Sequence, residues 1–171
     1  VQLERGHYEQ ALASLNRLPD QEKNPFRQDL LRKIYLQLGD WKQLADVIKA
    51  IKKRPGKVSD TVIQAEKQQT LHQIGDMGVD ALQAFWKQLD TSVKQDPEIM
   101  LAVSSAFVKG QHADWAEQLL ANHMAPAFQP ELVLAYGRLP ADASKQLMVA
   151  ERWLRERPND SVLFVTLGRL S

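Results

Sequence analysis

Apolar residues recur at helical spacing along almost the whole chain. Two consecutive segments show the pattern, formed by Leu30, Leu31, Ile34, Tyr35 and Leu38 in the first and by Leu44, Val47, Ile48 and Ile51 in the second. Intervals of three, four and seven residues place such side chains on one face of a helix. No segment shows the alternation of a convincing strand. The sequence therefore predicts an all-α protein, with about nine or ten helices of roughly 9 to 17 residues.

Capping and turn residues divide the apolar segments into helices. Helix starts are predicted where a side-chain acceptor or a first-turn proline precedes an apolar segment, at Asn24-Pro25, Ser59-Asp60, Asp96-Pro97, Gln129-Pro130 and Asp160-Ser161. Helix ends with a left-handed residue are predicted at Gly39, Gly75 and Gly110.

The stretch ERGHYEQALASL is followed later by QLGDWKQLADVI, which has the same arrangement of Gly, aromatic and apolar residues. Gly6 and Gly39 stand 33 residues apart, and so do Tyr8 and Trp41. The breaking glycines at 6, 39, 75 and 110 are separated by 33, 36 and 35 residues, which is the period of a helix-turn-helix repeat. We interpret Tyr8 and Trp41 as the first residues of the second helices of stacked hairpins, where they pack.

Pieces of the tetratricopeptide pattern support this period. They are Leu31 with Tyr35, Ala11 with Leu15, and Phe164 with Leu167-Gly168. The pattern is degenerate, because Arg32 stands where the repeat has a small Gly and Leu44 where it has Ala. We predict a right-handed α-solenoid of tetratricopeptide-like antiparallel helix hairpins, a single domain over 1–171. Its approximate units are 1–24, 25–58, 59–95, 96–129, 130–160 and a partial unit, 161–171.

The two ends of the sequence are expected to be cut from a longer protein. The opening VQLERG has no initiator Met and is typical of the last turn of a helix. The closing LFVTLGRLS stops within an apolar helical pattern and has no cap behind it.

Composition excludes several classes of function. The formal charge of +1 arises from 22 basic and 21 acidic residues, so no overall field attracts nucleic acid. The absence of cysteine removes disulfides, thiolate metal sites and cysteine nucleophiles. No apolar run approaches the roughly 18 to 20 residues that cross a bilayer.

Three longer stretches carry a resemblance to a known family. They are WKQLADVIKAIKK, then FWKQLD with DPEIMLAVSSAFVKGQHADWAEQLL, then PELVLAYGRLPADASKQLMVAERWLRERPNDSVLFVTLGRL. Together they resemble the tetratricopeptide region of the HemY proteins of proteobacteria, inner-membrane proteins associated with haem biosynthesis, over essentially the whole chain. The resemblance implies an upstream membrane anchor, a soluble repeat domain expected on the cytoplasmic side, and a part in late porphyrin and haem synthesis. The family supplies no agreed catalytic residue.

Candidate chemistry is sparse. The histidines at 7, 72, 112 and 123 lie far apart and lack a metal-binding partner at helical spacing. His72, Tyr136 and Met100 are conceivable haem ligands, although placement in the core or on the surface is the favoured interpretation. No G-x-S-x-G, G-x-x-x-x-G-K or G-x-G-x-x-G is present. The sequence therefore favours a protein that is not an enzyme and has no cofactor or metal.

The run KAIKKRPGK is strongly basic. It contains Lys49, Lys52, Lys53, Arg54 and Lys57. The favoured interpretation is a solvated helix C-terminus, where cations complement the helix dipole; contact with anionic lipid is the alternative. Trp86, Trp115 and Trp153 lie in helical apolar stripes and are expected in the core.

Two functions remain open. The first is an interaction scaffold that binds a protein of the late haem pathway, such as ferrochelatase; the second is a carrier or sensor that binds porphyrin or haem directly. The residues predicted to face the groove of the solenoid are polar and mildly basic, which suits a peptide or an acidic protein surface better than a haem. They are Lys33, Gln37, Gln69, His72, Gln73, Ser104, Val108 and Arg169.

Overall fold

The computed structural model describes residues 2–17, 24–124 and 128–171, and these residues form eleven α-helices and no strand. The helices are α1 (Gln2–Arg17), α2 (Pro25–Leu38), α3 (Trp41–Lys52), α4 (Asp60–Asp76), α5 (Val79–Gln88), α6 (Thr91–Lys94), α7 (Pro97–Lys109), α8 (Ala113–His123), α9 (Pro130–Tyr136), α10 (Ala143–Glu156) and α11 (Ser161–Leu170). The prediction of an all-α fold is confirmed.

The chain divides into two compact units, Val1–His72 and Gln73–Ser171, with the division inside α4. We call them unit 1 and unit 2. In both, helices pack against neighbours in the sequence, as the helices of an α-solenoid do. The repeat boundaries and the right-handed superhelix stay predictions.

Unit 1 is a stack of neighbouring helices around a small apolar core. Helix α1 packs against α2, and α2 packs against α3. The core side chains come from α3 and from the first turns of α4, namely Leu44, Ile48, Ile51, Val62 and Ala65. Tyr35, Leu36, Trp41, Val47 and Val58 pack around them and are partly buried. Each helix thus buries one stripe, as its apolar spacing predicts.

Arg54 ties the end of α3 to the start of α2. Its Nε donates to Oε1 of Gln28 at 2.6 Å, and its Nη2 donates to the carbonyl oxygen of Pro25 at 3.1 Å. The carboxylate of Asp29 lies 3.7 Å from Nη1. Arg54 is therefore a cross-link between two helices of unit 1.

Unit 2 contains a larger core. Helix α7 packs on α8, α10 packs on α11, and α9 contacts α7, α8 and α11. Its fully buried side chains include Ile99, Met100, Leu120, Leu132, Tyr136 and Leu163. A polar contact fixes α9 to α10, because the amide Nε2 of Gln146 donates to the carbonyl oxygen of Tyr136 at 2.6 Å.

The capping residues begin helices where the sequence predicts them. Asn24, Asp96 and Asp160 each accept backbone N–H groups of the first turn through a side-chain oxygen. Helices α4 and α9 also begin at the predicted places, at Asp60 and Pro130. Two further caps escaped the sequence analysis, at Asp40 and Asp142.

The glycines predict helix ends less accurately than the capping residues predict helix starts. Gly39 ends α2 in the left-handed region with φ of 71°, as predicted. Gly75 does not end a helix, because α4 continues through it to Asp76. Gly110 follows α7, but its φ is −80°, and Gln111 is the left-handed residue, with φ of 65°. Gly110 instead allows the side chain of Val79 to approach the backbone closely, because an added Cβ would overlap that side chain.

Gly6 also lies inside a helix. Helix α1 runs through it from Gln2 to Arg17, so Tyr8 stands in the middle of a helix and the predicted break is wrong. A single Gly costs a helix only about 1 kcal/mol relative to Ala, which the neighbouring turns can offset. Trp41, in contrast, begins α3 as predicted. The apparent repetition of ERGHYEQALASL and QLGDWKQLADVI is therefore not a repetition of helix boundaries.

Candidate functional site

The residues predicted to face a groove differ in exposure. In unit 1, Lys33, Gln37 and His72 are exposed, whereas the side chain of Gln69 is only 7% exposed. In unit 2, Arg169 is exposed, Gln73 and Val108 are half-buried, and Ser104 is only 3% exposed. Gln69 and Ser104 are thus largely buried, because helical spacing alone does not tell an exposed groove position from one that a neighbouring side chain covers.

A cleft between α1 and α2 of unit 1 brings two of these residues together. Its volume is about 520 Å³. Its lining consists of Glu4, His7, Tyr8 and Ala11 on α1, and of Leu30, Lys33, Ile34, Leu36 and Gln37 on α2. Lys33 and Gln37 were predicted for a binding surface. The α1 residues were not, because a helix break was predicted at Gly6 and Tyr8 was interpreted as a packing residue.

The cleft has an apolar floor and a polar rim. On α2, Leu30 and Ile34 lie one turn apart, and so do Lys33 and Gln37. Ile34 is buried, whereas Lys33 and Gln37 are exposed. On α1, the aromatic ring of Tyr8 is half-buried, and one turn further on Ala11 leaves room beside it. This arrangement suits an apolar side chain or ring that enters the cleft and polar groups that bond at its edge.

Three histidine rings lie against tryptophan rings, two of them stacked and that of His123 tilted. The ring of His72 lies 4.7 Å from that of Trp41 in unit 1. In unit 2, His112 lies 4.1 Å from Trp115 and His123 lies 5.4 Å from Trp86. Among the residues that the structure describes, no group of three His, Cys, Asp or Glu side chains could hold a metal ion.

The ring of His123 has an altered acidity. Burial and the nearby ammonium group of Lys94 lower the pKa of its imidazole below the usual 6.5. The same ammonium group lies 5.9 Å from the centre of the Trp86 ring. Burial and the charge of Lys94 thus both favour the neutral form of the His123 ring.

Two of the conceivable haem ligands lie in the core of unit 2. Met100 and Tyr136 are fully buried. The hydroxyl of Tyr136 donates to Oε1 of Glu117 at 2.7 Å. Burial and this carboxylate raise the pKa of the phenol well above its usual 10. The hydroxyl is thus engaged in a structural hydrogen bond.

The tryptophans predicted to pack divide into two groups. Trp86 and Trp153 are 9% and 4% exposed, so their expected place in the core is confirmed. Trp115 is half-buried and packs edge-on against Phe107 at 5.7 Å. Trp41 is half-buried as well, and it lies against the core of unit 1.

The fold and the cleft define an all-α protein with the helix packing of an α-solenoid and a candidate binding surface on its first two helices. Comparison of the sequence and the structure with models of protein families, with curated proteins and with solved structures finds no match. No helix within residues 2–17, 24–124 and 128–171 has the length and apolar character needed to cross a membrane.

Proposed function

We propose that the chain is a non-catalytic interaction scaffold associated with late haem or porphyrin biosynthesis. It binds an enzyme of that pathway, ferrochelatase or a neighbouring enzyme, and changes the activity of that enzyme or brings substrate to it by proximity. The localisation that we propose with this role is the bacterial inner membrane, with a membrane anchor outside this sequence and the repeat domain on the cytoplasmic side. The resemblance to the HemY proteins is the reason for choosing this pathway.

The cleft between α1 and α2 carries the proposal that the chain binds a protein. Its apolar floor can take an aromatic or aliphatic anchor, and Lys33 and Gln37 can form polar contacts at its edge. Stacked helix hairpins commonly present such surfaces to partners. A specific interface of standard size covers roughly 800 Å² on each partner, so the contact extends well beyond the cleft.

Direct binding to purified ferrochelatase tests the proposal. The 171-residue chain is immobilised, and the dissociation constant is measured by surface interferometry. Lys33→Glu and Arg169→Glu are compared singly, because the two exposed residues lie in different units. We expect Lys33→Glu to weaken binding by about tenfold, as loss of a charged contact at an interface does.

The control variants are Lys42→Glu and Lys145→Glu. Both residues are exposed, one in each unit, and neither lines the cleft. Their charge changes equal those of the test variants, so a general electrostatic effect would weaken all four alike. A pull-down from membranes with the same proteins extends the test to other enzymes of the pathway. Failure to bind any of them would contradict the proposal.

Direct binding of a tetrapyrrole is the second candidate function. The cleft favours it through one observation: apolar side chains line most of it, with the imidazole of His7 and the ammonium group of Lys33 at its edge. Imidazole is a ligand of haem iron, and a cation can pair with a propionate. A haem titration followed by absorbance, with His7→Ala as the comparison, tests this function. Stoichiometric binding that is lost in His7→Ala would favour it over the scaffold.

A further inference from the structure

A second cleft lies between α3 and α4 in unit 1. Its volume is about 320 Å³. One side is lined by Ala45, Ile48, Lys49 and Lys52 on α3 and by Lys53, the residue that follows this helix, and the other side by Glu66 and Gln69 on α4. The α3 residues lie three and four positions apart, so the helix directs them toward the same side. From the sequence, these lysines were expected to form a solvated helix terminus, and nothing in their spacing relates them to Gln69.

The lining of this cleft is basic. It contains three lysines and one carboxylate, that of Glu66. The ammonium group of Lys52 pairs with Oε1 of Glu66 at 2.7 Å. Lys49 and Lys53 are exposed at the edge, one helical turn apart. The pairing of Lys52 neutralises Glu66, and two positive charges remain for a ligand.

Gln69 adds a polar group to the lining of the same cleft. Its side chain is only 7% exposed and contributes to the lining of the cleft. A carboxylate that enters the cleft can accept a hydrogen bond from the amide of Gln69.

We propose that the cleft between α3 and α4 binds an acidic segment of a protein partner. A carboxylate of that segment lies between the ammonium groups of Lys49 and Lys53 and accepts a hydrogen bond from the amide of Gln69. The aliphatic surface of Ala45 and Ile48 packs against the methylene groups of the same side chain. This inference rests on the proposed function of the chain as a protein-interaction scaffold and assigns the chemistry of its partner.

The shape of the cleft favours a protein segment over a membrane. An anionic bilayer is contacted by groups that project from the surface, whereas Gln69 is only 7% exposed and lines the cleft. A cleft of about 320 Å³ admits individual side chains. Of the basic run, Lys52 is paired with Glu66 and Arg54 is tied to Asp29, so fewer charges remain for a lipid surface.

Fluorescence anisotropy with a labelled hexaglutamate peptide tests the inference. The full chain is titrated at physiological ionic strength, because screening at that salt removes weak long-range attraction. A hexaglutamine peptide, inorganic phosphate as a competitor, and vesicles of phosphatidylglycerol in phosphatidylcholine are measured in parallel. We expect saturable binding of hexaglutamate and no saturable binding of hexaglutamine.

Two variants locate the contact. Lys49→Glu with Lys53→Glu is expected to weaken binding by at least about tenfold. Gln69→Leu keeps the volume of the side chain and the net charge, and its loss of one hydrogen bond is expected to weaken binding roughly threefold to tenfold. The control is Lys42→Glu with Lys145→Glu, which makes the same change of charge at exposed positions outside the cleft. Circular dichroism melts show that each variant is folded.

Each outcome has a definite meaning. Weaker binding in both cleft variants with an unaffected control supports the inference. The inference is overturned if the control pair weakens binding equally, or if Gln69→Leu leaves the dissociation constant unchanged. It is also overturned if phosphate at the same total charge displaces all of the bound peptide, or if the chain binds vesicles but not hexaglutamate. If ferrochelatase still binds the Lys49→Glu, Lys53→Glu chain with unchanged affinity, the scaffold function stands and this cleft is not its contact. If the wild-type chain binds no pathway enzyme, the proposed function fails, and the peptide titration still decides the chemistry of the cleft.

Discussion

Three histidine rings lie against tryptophan rings in this protein: His72 against Trp41, His112 against Trp115 and His123 against Trp86. The sequence places the members of the His72 and Trp41 pair 31 positions apart, and those of the His123 and Trp86 pair 37 apart. Such contacts depend on how helices stack, so periodicity within one helix cannot predict them. A flat imidazole on a flat indole buries apolar area of both rings.

Trp41→Ala is predicted to destabilise unit 1. The indole lies against the Leu44, Ile48 and Ile51 core and covers His72, yet it is half-buried, so the loss is less than the roughly 3 to 5 kcal/mol of a fully buried Trp. We expect the free energy of unfolding to fall by about 2 kcal/mol in urea denaturation. His72→Ala, which removes only the stacking partner, should cost less. An unchanged unfolding midpoint in Trp41→Ala would contradict this assignment.

His123 is predicted to make stability depend on pH. Its pKa in the folded protein lies below the usual 6.5, so the unfolded chain binds more protons at pH values between the two. The free energy of unfolding should therefore fall as the pH decreases from 6.5, until the pH is below the folded pKa. His123→Gln should flatten the curve in this range. An NMR titration of the His123 ring measures the pKa directly, and a value at or above 6.5 would contradict the prediction.

At the scale of the helices, capping residues were better guides than glycines. An Asp or Asn cap supplies an acceptor to free N–H groups of the first turn, and Asn24, Asp96 and Asp160 do so as predicted. A glycine only lowers the cost of leaving the helix, so its environment decides. Gly39 is followed by Asp40, which caps α3, and the chain turns there; Gly75 is also followed by an Asp, but it lies inside α4, which continues to Asp76.

The two kinds of glycine are predicted to respond oppositely to Ala. Gly75→Ala should raise the free energy of unfolding by roughly 0.5 to 1 kcal/mol, because the position is helical and an added Cβ meets no atom within 4 Å. Gly39→Ala should lower it by about 1 to 2 kcal/mol, because φ is 71° there. Thermal and urea unfolding of both variants compare them. Stabilisation by Gly39→Ala would show that α2 ends in another conformation.

The residues of the candidate site could be predicted only in part, because some of them depend on where helices end and on how helices pack. Lys33 and Gln37 follow from the face of α2 that the apolar stripe leaves free. The opposite wall, with His7 and Tyr8, depends on whether α1 continues through Gly6. Gln69 and Ser104 are polar residues that the structure largely buries, which the spacing of apolar residues along a helix does not predict.

At the scale of the whole molecule, the fold class was predictable because helical spacing is local and pervades the chain. The division into two compact units was not predicted, since the spacing of the glycines favoured a single repeat domain. The function is harder to predict from the sequence than the fold is. Stacked hairpins serve many partners, so the choice of partner depends on the side chains of particular clefts.

The two units are predicted to respond separately to core damage. In arrays of hairpins each element is stabilised chiefly by its neighbours, so loss of one contact opens the chain locally. Trp41→Ala should speed amide hydrogen exchange in α2 and α3, and Trp153→Ala, which removes a side chain packed on Phe128 and Tyr136, should speed it in α9 to α11. Hydrogen exchange followed by mass spectrometry, with Lys42→Ala as the exposed control, compares the three proteins.

Helix α4 contains the division and is the segment where the two effects should meet. If either substitution lowered protection equally over the whole chain, the 171 residues would open as one cooperative body and the division into units would have no thermodynamic meaning.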